Sequence, residues 1–304
     1  MTDTLASRGP DGRGERSFEG GRIALGHRRL AIVDLSAAGT QPMSDATGDV
    51  WLVCNGEIYN HPALRLELEA RGHRYGSNSD SESVIHAWKE WGEDCVQHLF
   101  GMFAFVLWDV REGRLFAARD HLGVKPLYFA AHGGGLALAS QPKAFRALPG
   151  FTPKLDRNAF ADYLAYGIVP DDRAAFESVS KLPPGHALSW RDGSHEIVRY
   201  WQVRPTNEIN DADEAAERLS ATLREAVESQ LMSDVPLASF LSGGIDSSLI
   251  TALAGEIRGE PMAALTVGFD EDMSDERVYA ALAARHTGSP EHIAVLRREE
   301  APAL

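Results

Sequence analysis

The chain has 304 residues, 44% hydrophobic and 24% charged, a composition that excludes a largely disordered protein and leaves room for about two domains. Its 30 basic and 44 acidic residues give a formal net charge of −14, which excludes a broad basic face for nucleic acid but not a local anion site. Two cysteines, Cys54 and Cys95, exclude a disulfide framework or a cysteine zinc site and fit a reducing cytoplasm. The longest apolar run, MFAFVLW, is far too short for a membrane span, and the N-terminus has no apolar signal core.

In chain order, RIALGHRRLAIVDL and VWLVCNGEIYN read as strands parted by a loop rich in Gly, Pro, Ser and Asp. HPALRLELEARG reads as a helix with Leu64 and Leu68 on one face and a stop at Gly72. SDSESVIHAWKEWG reads as a second helix, with Ser79 and Asp80 as cap candidates and a stop at Gly92. GMFAFVLWDVREGRLFAARD predicts a hairpin turning at Arg111–Gly113, and KPLYFAAHGGGLALAS a second one turning at Gly133 to Gly135. Antiparallel hairpins with inserted helices predict an α+β sheet domain over residues 1–200.

Proline and polar residues cluster near YWQVRPTNEIND, and the periodicity then changes. DADEAAERLSATLREAVESQL predicts an amphipathic helix with a capping-box-like start at Asp211 and Glu214 and a stripe of Leu219, Leu223, Ala226 and Leu231. Strand PLASFL, loop SGGIDSS, helix LITALAGEIRG, strand MAALTVGF, helix DERVYAALAARHTG and strand EHIAVL follow. This β-α-β-α-β order predicts a partial α/β domain with a parallel sheet over 201–304. Parallel sheets are covered on both faces, so three strands read as a domain cut short.

The loop between PLASFL and its helix is a phosphate cradle in form. A strand, a Gly-rich turn and a helix N-terminus offer backbone N–H groups to an anion. Gly243 and Gly244 allow close approach, and Ser242, Ser247 and Ser248 add hydroxyls. The G-x-x-x-x-G-K-[ST] pattern of P-loop enzymes is absent. The bland alternative is a Gly-Ser turn at a helix start, which the flanking strand and helix disfavour. S-G-G-x-D-S resembles the pyrophosphate-binding loop of the N-type ATP pyrophosphatases, which cleave ATP between the α and β phosphates and adenylate a carboxylate. That resemblance implies ATP and Mg²⁺, with Asp246 near the metal and phosphates, and adenosine contacts at Leu241 and Val267. Core packing is an equal alternative for those last two.

RGPDG, GHRRLAIVDL, QPM, NGEIYN, SDSE, GMFAFVLWD, ARDHLGVKPLY and the later AS-x-x-KAF occur in that order. With SGGIDSS they resemble the glutamine-hydrolysing asparagine synthetases across nearly the whole chain. The resemblance implies a glutaminase domain of the class II glutamine amidotransferases, with the N-terminal-nucleophile hydrolase sandwich, ahead of a synthetase domain. Glutamine, aspartate and ATP would be its ligands. Ammonia would pass internally to a β-aspartyl-AMP, and the assembly would be a homodimer. Amide hydrolysis needs an oxyanion hole and an anchor for the ionic head of glutamine. Asn55 and the Gly56 N–H suit the oxyanion. Arg29 suits the α-carboxylate, since a guanidinium pairs with it bidentately. Asp80 would take the α-ammonium, with Glu57 beside it, and Leu30, Ile32 and Val33 complete the implied glutamine site. His27 reads as structural.

The family carries its nucleophile in an M-C-G-I start, whereas this chain begins MTDTLASRGPD. The expectation is therefore a chain without that first strand and its nucleophile, without the family's later S-G-E-G-[AS]-D-E loop, and inactive as it stands. Thr2 lies six residues from Arg8, the wrong part of the fold for a nucleophile. Cys54 lacks an adjacent α-amino base, and a buried strand cysteine is inert. A relative amidating another carboxylate, a β-lactam-synthetase-like enzyme and a non-catalytic remnant are the alternatives.

Overall fold

The structure is a computed structural model that describes residues 1–171, 173–205, 208–269 and 275–297. The chain falls into two compact units, Met1–Arg204 and Pro205–Leu304.

The first unit opens with the hairpin β1 (Gly12–Phe18) and β2 (Ile23–Arg29). Strands β3 (Met43–Ser44) and β4 (Val50–Ile58) lead to helices α1 (His61–Ala70) and α2 (Glu82–Trp91). Hairpins β5 (Gly101–Asp109)–β6 (Arg114–Arg119) and β7 (Tyr128–His132)–β8 (Gly135–Ala139) follow, then α3 (Arg157–Tyr166), β9 (Ser180–Lys181), β10 (His186–Arg191) and β11 (Ser194–Arg199). The main sheet runs β11-β10-β6-β5-β4-β3, and two smaller sheets are β1-β2 and β8-β7-β9.

Strand β5 shows why MFAFVLW is apolar at every position. Phe103, Phe105 and Leu107 pack with Leu64, Leu68 and Ile85 of the two helices. Ala104, Val106 and Trp108 point the other way, to Leu25, Leu127 and Leu188. Both pleat faces are buried, so the usual alternation disappears. The result is a helix layer on one face of the main sheet and the smaller sheets on the other.

Two local readings change. RIALGHRRLAIVDL is strand only as far as Arg29, because Asp34 takes a left-handed conformation (φ 54°) and turns the chain. Asp80 does not cap α2, whose N-cap Ser81 makes no side-chain cap bond; Asp80 instead accepts the Ile58 N–H at 2.7 Å. Glu82 takes the N–H groups of Gly76 and Ser77, at 2.7 and 2.8 Å, and fixes the loop before the helix.

In the second unit α4 (Ala212–Ser229) is capped by Asp211, which accepts the Glu214 N–H at 2.8 Å. Strands β12 (Ala238–Phe240), β13 (Ala263–Phe269) and β14 (Glu291–Leu296) are parallel, joined by α5 (Ile245–Arg258) and α6 (Arg277–Thr287). The α4 stripe is partly realised: Leu231 packs with Val227, Ala254 and Met262, but Leu219 is 67% exposed because burial centres on Val227. Helix α5 begins at Ile245, so the IDSS of the expected loop forms its first turn. Helix-side residues Ala264 and Thr266 are buried, while Phe240, Val267 and Phe269 leave the opposite sheet face exposed; Ile293 and Val295 share the Thr266 face by register but are exposed on the edge strand β14. Among the described residues no helix is long and apolar enough to cross a membrane.

Candidate active site

The site is built on the outer edge of β4. Strand β3 pairs with β4 only at Trp51 and Leu52. Beyond that point side chains take over as edge partners. Gln41 Oε1 accepts the Cys54 N–H at 2.6 Å, His27 Nε2 lies 3.1 Å from the Cys54 carbonyl oxygen, and Asp80 accepts the Ile58 N–H. Gly56 lies between them. Its register partner Phe103 spends both backbone groups on Asp120: the Phe103 N–H donates to the carboxylate at 3.2 Å, and the Asp120 N–H donates to the Phe103 carbonyl at 2.8 Å. Gly56–Phe103 is thus a non-hydrogen-bonded pair, and the Gly56 N–H faces outward. A Cβ on Gly56 (φ 156°) would stand 2.0 Å from the Met102 carbonyl oxygen and 2.6 Å from the Phe103 Cα, so only glycine fits. An outward N–H beside the Asn55 amide can hold a developing oxyanion.

A cavity of about 700 Å³ opens at this edge, and the structure brings all the first-unit candidates to its wall: Arg29, Leu30, Ile32, Val33, Asn55, Gly56, Glu57 and Asp80. The Arg29 guanidinium is seated by the turn that follows it, donating to the carbonyls of Ser36 at 3.0 Å and Val33 at 3.2 Å, and to that of Asp34. Burial pushes the Asp80 carboxyl above its ordinary range, against the N–H donors of Ile58 and Ser81. Burial also raises Glu57, and the Asp80 charge raises it further, while Lys125 pulls it back. Two reluctant carboxylates facing a guanidinium across one cavity suit a zwitterion whose ammonium supplies the missing positive charge.

Gln41, Asp120 and Lys125 are structural neighbours of these candidates that residue-type reasoning passed over, although each stands in a quoted motif: QPM and ARDHLGVKPLY. Lys125 lines the cavity, and its own N–H is fixed by Asp120 at 2.9 Å.

Cys54 also lines the cavity but is not armed. It is buried in β4, and burial, then the Asp80 charge, push its thiol up to about 12. Cys95 is buried too, its thiol pushed up by burial. Native protein at pH 8 is therefore expected to resist alkylation at both thiols, with two adducts appearing by mass spectrometry only after denaturation. Rapid native labelling of Cys54 would contradict this inertness. Burial lowers the His27 pKa, and its buried Nδ1 finds no partner among the described residues, which fits a neutral ring bonded to β4. Thr2 lies against β2, where a Cβ on Gly26 would meet its hydroxyl at 2.2 Å.

In the second unit the Gly-rich loop is short and self-braced. Ser242 and Ser247 hydroxyls lie 3.0 Å apart, and the Ser242 and Gly244 N–H groups each donate to one of them at 3.3 Å. Gly243 (φ 81°) lies against α6, where a Cβ would stand 2.3 Å from the Tyr279 carbonyl carbon. A Cβ on Gly244 would meet nothing closer than Ser242 Oγ at 3.4 Å, so that side of the loop is open. Asp246 and Ser247 sit among the first three residues of α5, whose N–H groups lack intrahelical partners, while the Ser248 N–H donates to the Gly244 carbonyl at 3.0 Å and leaves its hydroxyl for a ligand. Leu241 is buried with Ala264, Ala280 and Ala284 beneath the loop, and Val267 is half-exposed on β13.

The glutamine amidotransferase domain family model matches residues 1–201, and the asparagine synthase family model matches residues 218–304. The chain is 40% identical over 291 residues to the glutamine-hydrolyzing asparagine synthetase 3 of Bacillus subtilis, covering 92% of this chain and 46% of that protein. It is 36% identical over 316 residues to Amidase chry2 of Gibberella zeae, covering 98% and 46%. The chain spans about half the length of the curated relatives it matches. Among solved structures, the glutamine phosphoribosylpyrophosphate amidotransferase of B. subtilis, complexed with ADP and GMP, superposes with a TM-score of 0.51. It is 18% identical and is matched over 96% of this chain and 61% of its own. The likeness is one of fold, the N-terminal-nucleophile hydrolase arrangement of helices and stacked sheets.

Proposed function

The chain belongs to the glutamine amidotransferase domain family, and from that membership we propose that it serves an ATP-dependent ligase that takes ammonia from glutamine to convert aspartate to asparagine. The observation that carries the reading is the β4 edge, where the Gly56 N–H and Asn55 stand beside Arg29 and Asp80 in one cavity. The match of residues 218–304 to the asparagine synthase model supports the choice of product.

In this reading Arg29 binds the glutamine α-carboxylate and Asp80 its α-ammonium, with Glu57 as a second acceptor. Leu30, Ile32 and Val33 exclude water around the side chain. The δ-carbonyl oxygen then faces Asn55 and the Gly56 N–H, which stabilise the oxyanion formed on attack. Cys54 is not the attacking group, because its thiol stays protonated.

In the second unit the open side of Gly244 and the first-turn N–H groups of α5 fit the phosphates of ATP. Among the described residues no three His, Cys, Asp or Glu converge on a metal position. Mg²⁺ would therefore arrive with the nucleotide, held mainly by phosphate oxygens with Asp246 as the nearby carboxylate. Bound there, the ion would neutralise phosphate charge. A reducing cytoplasm suits two free cysteines.

Calorimetric titration tests the reading. The chain is expected to bind L-glutamine saturably, and Arg29→Ala is expected to abolish this while leaving magnesium-pyrophosphate binding intact. Gly243→Val is expected to do the reverse. No glutamine binding by the parent chain, or loss of both ligands in both variants, would defeat the proposal.

A further inference from the structure

Asp34 is unusual among the residues around the cavity. It is 6% exposed, and as a non-glycine residue it holds a left-handed backbone (φ 54°). Its side chain and its backbone reach in different directions. Oδ1 accepts the Ser36 hydroxyl at 2.5 Å and the Ser36 N–H at 3.1 Å, which fixes the turn after β2. The Asp34 carbonyl accepts the Arg29 guanidinium, with those of Val33 and Ser36 beside it. Oδ2 reaches a segment 44 residues away and accepts the Asn78 N–H at 2.8 Å. Asn78 lies two residues before Asp80, in the loop whose other end Glu82 holds. Burial alone would raise the Asp34 carboxyl, but Ser36 and Asn78 hold it below its ordinary range, so these donors meet an anion.

We propose that Asp34 is a positioning residue that sets the distance between Arg29 and Asp80, and so selects ligands bearing a carboxylate and an ammonium on one carbon. The assignment rests on the reading of the cavity as a glutamine site. One residue seats the guanidinium through its backbone and the ammonium-binding loop through its side chain. A shift in either arm changes the span that a ligand must bridge, and misplacement of this order is costly for an ionic head held at two points.

The test is Asp34→Gly, which adopts the left-handed backbone without strain and keeps the carbonyl for Arg29. It has no side-chain acceptor, so the Asn78 tie is lost. Hydrogen exchange at the Asn78 amide is expected to quicken about tenfold or more, with no ligand present. The Kd for L-glutamine is expected to rise about tenfold. That for glutaric acid monoamide, which keeps the carboxylate but lacks the ammonium, should stay within about twofold, because Arg29 keeps its seat. A merely structural role would weaken both ligands alike, and that result, or an unchanged Asn78 exchange rate, would overturn the assignment. A parent chain that bound neither ligand would instead remove the glutamine reading on which it stands.

Discussion

Gly56→Ala is expected to lower the melting temperature of the first unit by about 10 °C and to remove the oxyanion donor together. The added methyl has no direction in which to move. It would stand 2.0 Å from a carbonyl oxygen and 2.6 Å from a Cα of β5, and both contacts are backbone. Strand β5 cannot retreat, because Phe103 and Phe105 are fully buried on the helix side and Ala104 and Val106 are buried on the other. Overpacking of this kind costs about 3 kcal/mol, to which the positive φ adds strain. For a unit of this size that cost corresponds to roughly 6–12 °C. If β4 bows outward to make room, the Gly56 N–H moves with it, away from the oxyanion position beside Asn55. Differential scanning calorimetry decides the first part: an alanine variant melting with the parent would mean that β4 and β5 stand further apart than the structure has them.

The second large effect is on binding without loss of stability. Asp80→Asn keeps an oxygen for the Ile58 N–H, so the β4 edge stays closed. In the proposed glutamine site it removes the charge that would face the ligand ammonium, a loss of about 2–4 kcal/mol for a buried charged pair, or roughly 30- to 1000-fold in Kd for L-glutamine. The pH dependence follows from the direction of the shift. Burial raises the Asp80 carboxyl, so the neutral form persists to higher pH than in an unfolded chain. A raised acid contributes stability that is present below its unfolded pKa and is lost as pH rises through the folded value. The ionised form of Asp80 is therefore a burden on the fold, and the Asn variant should melt no lower than the parent. Glutamine affinity in the parent should fall as pH drops through the raised Asp80 value, and the variant should show no such fall. A variant that lost stability and affinity in parallel would make Asp80 a structural residue only.

Much of this was legible in residue types and order. MFAFVLW carries its strand in a short unbroken apolar run, and NGE and the strand–Gly–helix order of SGGIDSS carry theirs in their glycines. Arg29, Asp80 and Gly56 come from the family resemblance, with the match of a guanidinium to a carboxylate as physical support, and the structure places all three on the wall of one cavity. What the sequence hid is long-range. Nothing in AIVDL marks Asp34 as left-handed or ties it to Asn78, since the hydrogen bond that holds it spans 44 residues. Asp80 looked like a helix cap because a cap and a strand-edge acceptor use the same side chain, and only the approach of β4 decides between them. The start of α5 was misplaced because Ser and Asp favour first turns as readily as loops.

The lysine-free loop at β12 and α5 bears on how a phosphate would be held there. A fixed ammonium would add a point charge that keeps hold of any phosphate, whatever it is bonded to. N–H dipoles and serine hydroxyls act only at contact and weaken quickly with distance. In the reading of this loop as a phosphate site, an anion gripped by Ser242, Ser247 and the mouth of α5 would be held by contact geometry and not by a fixed charge in the loop.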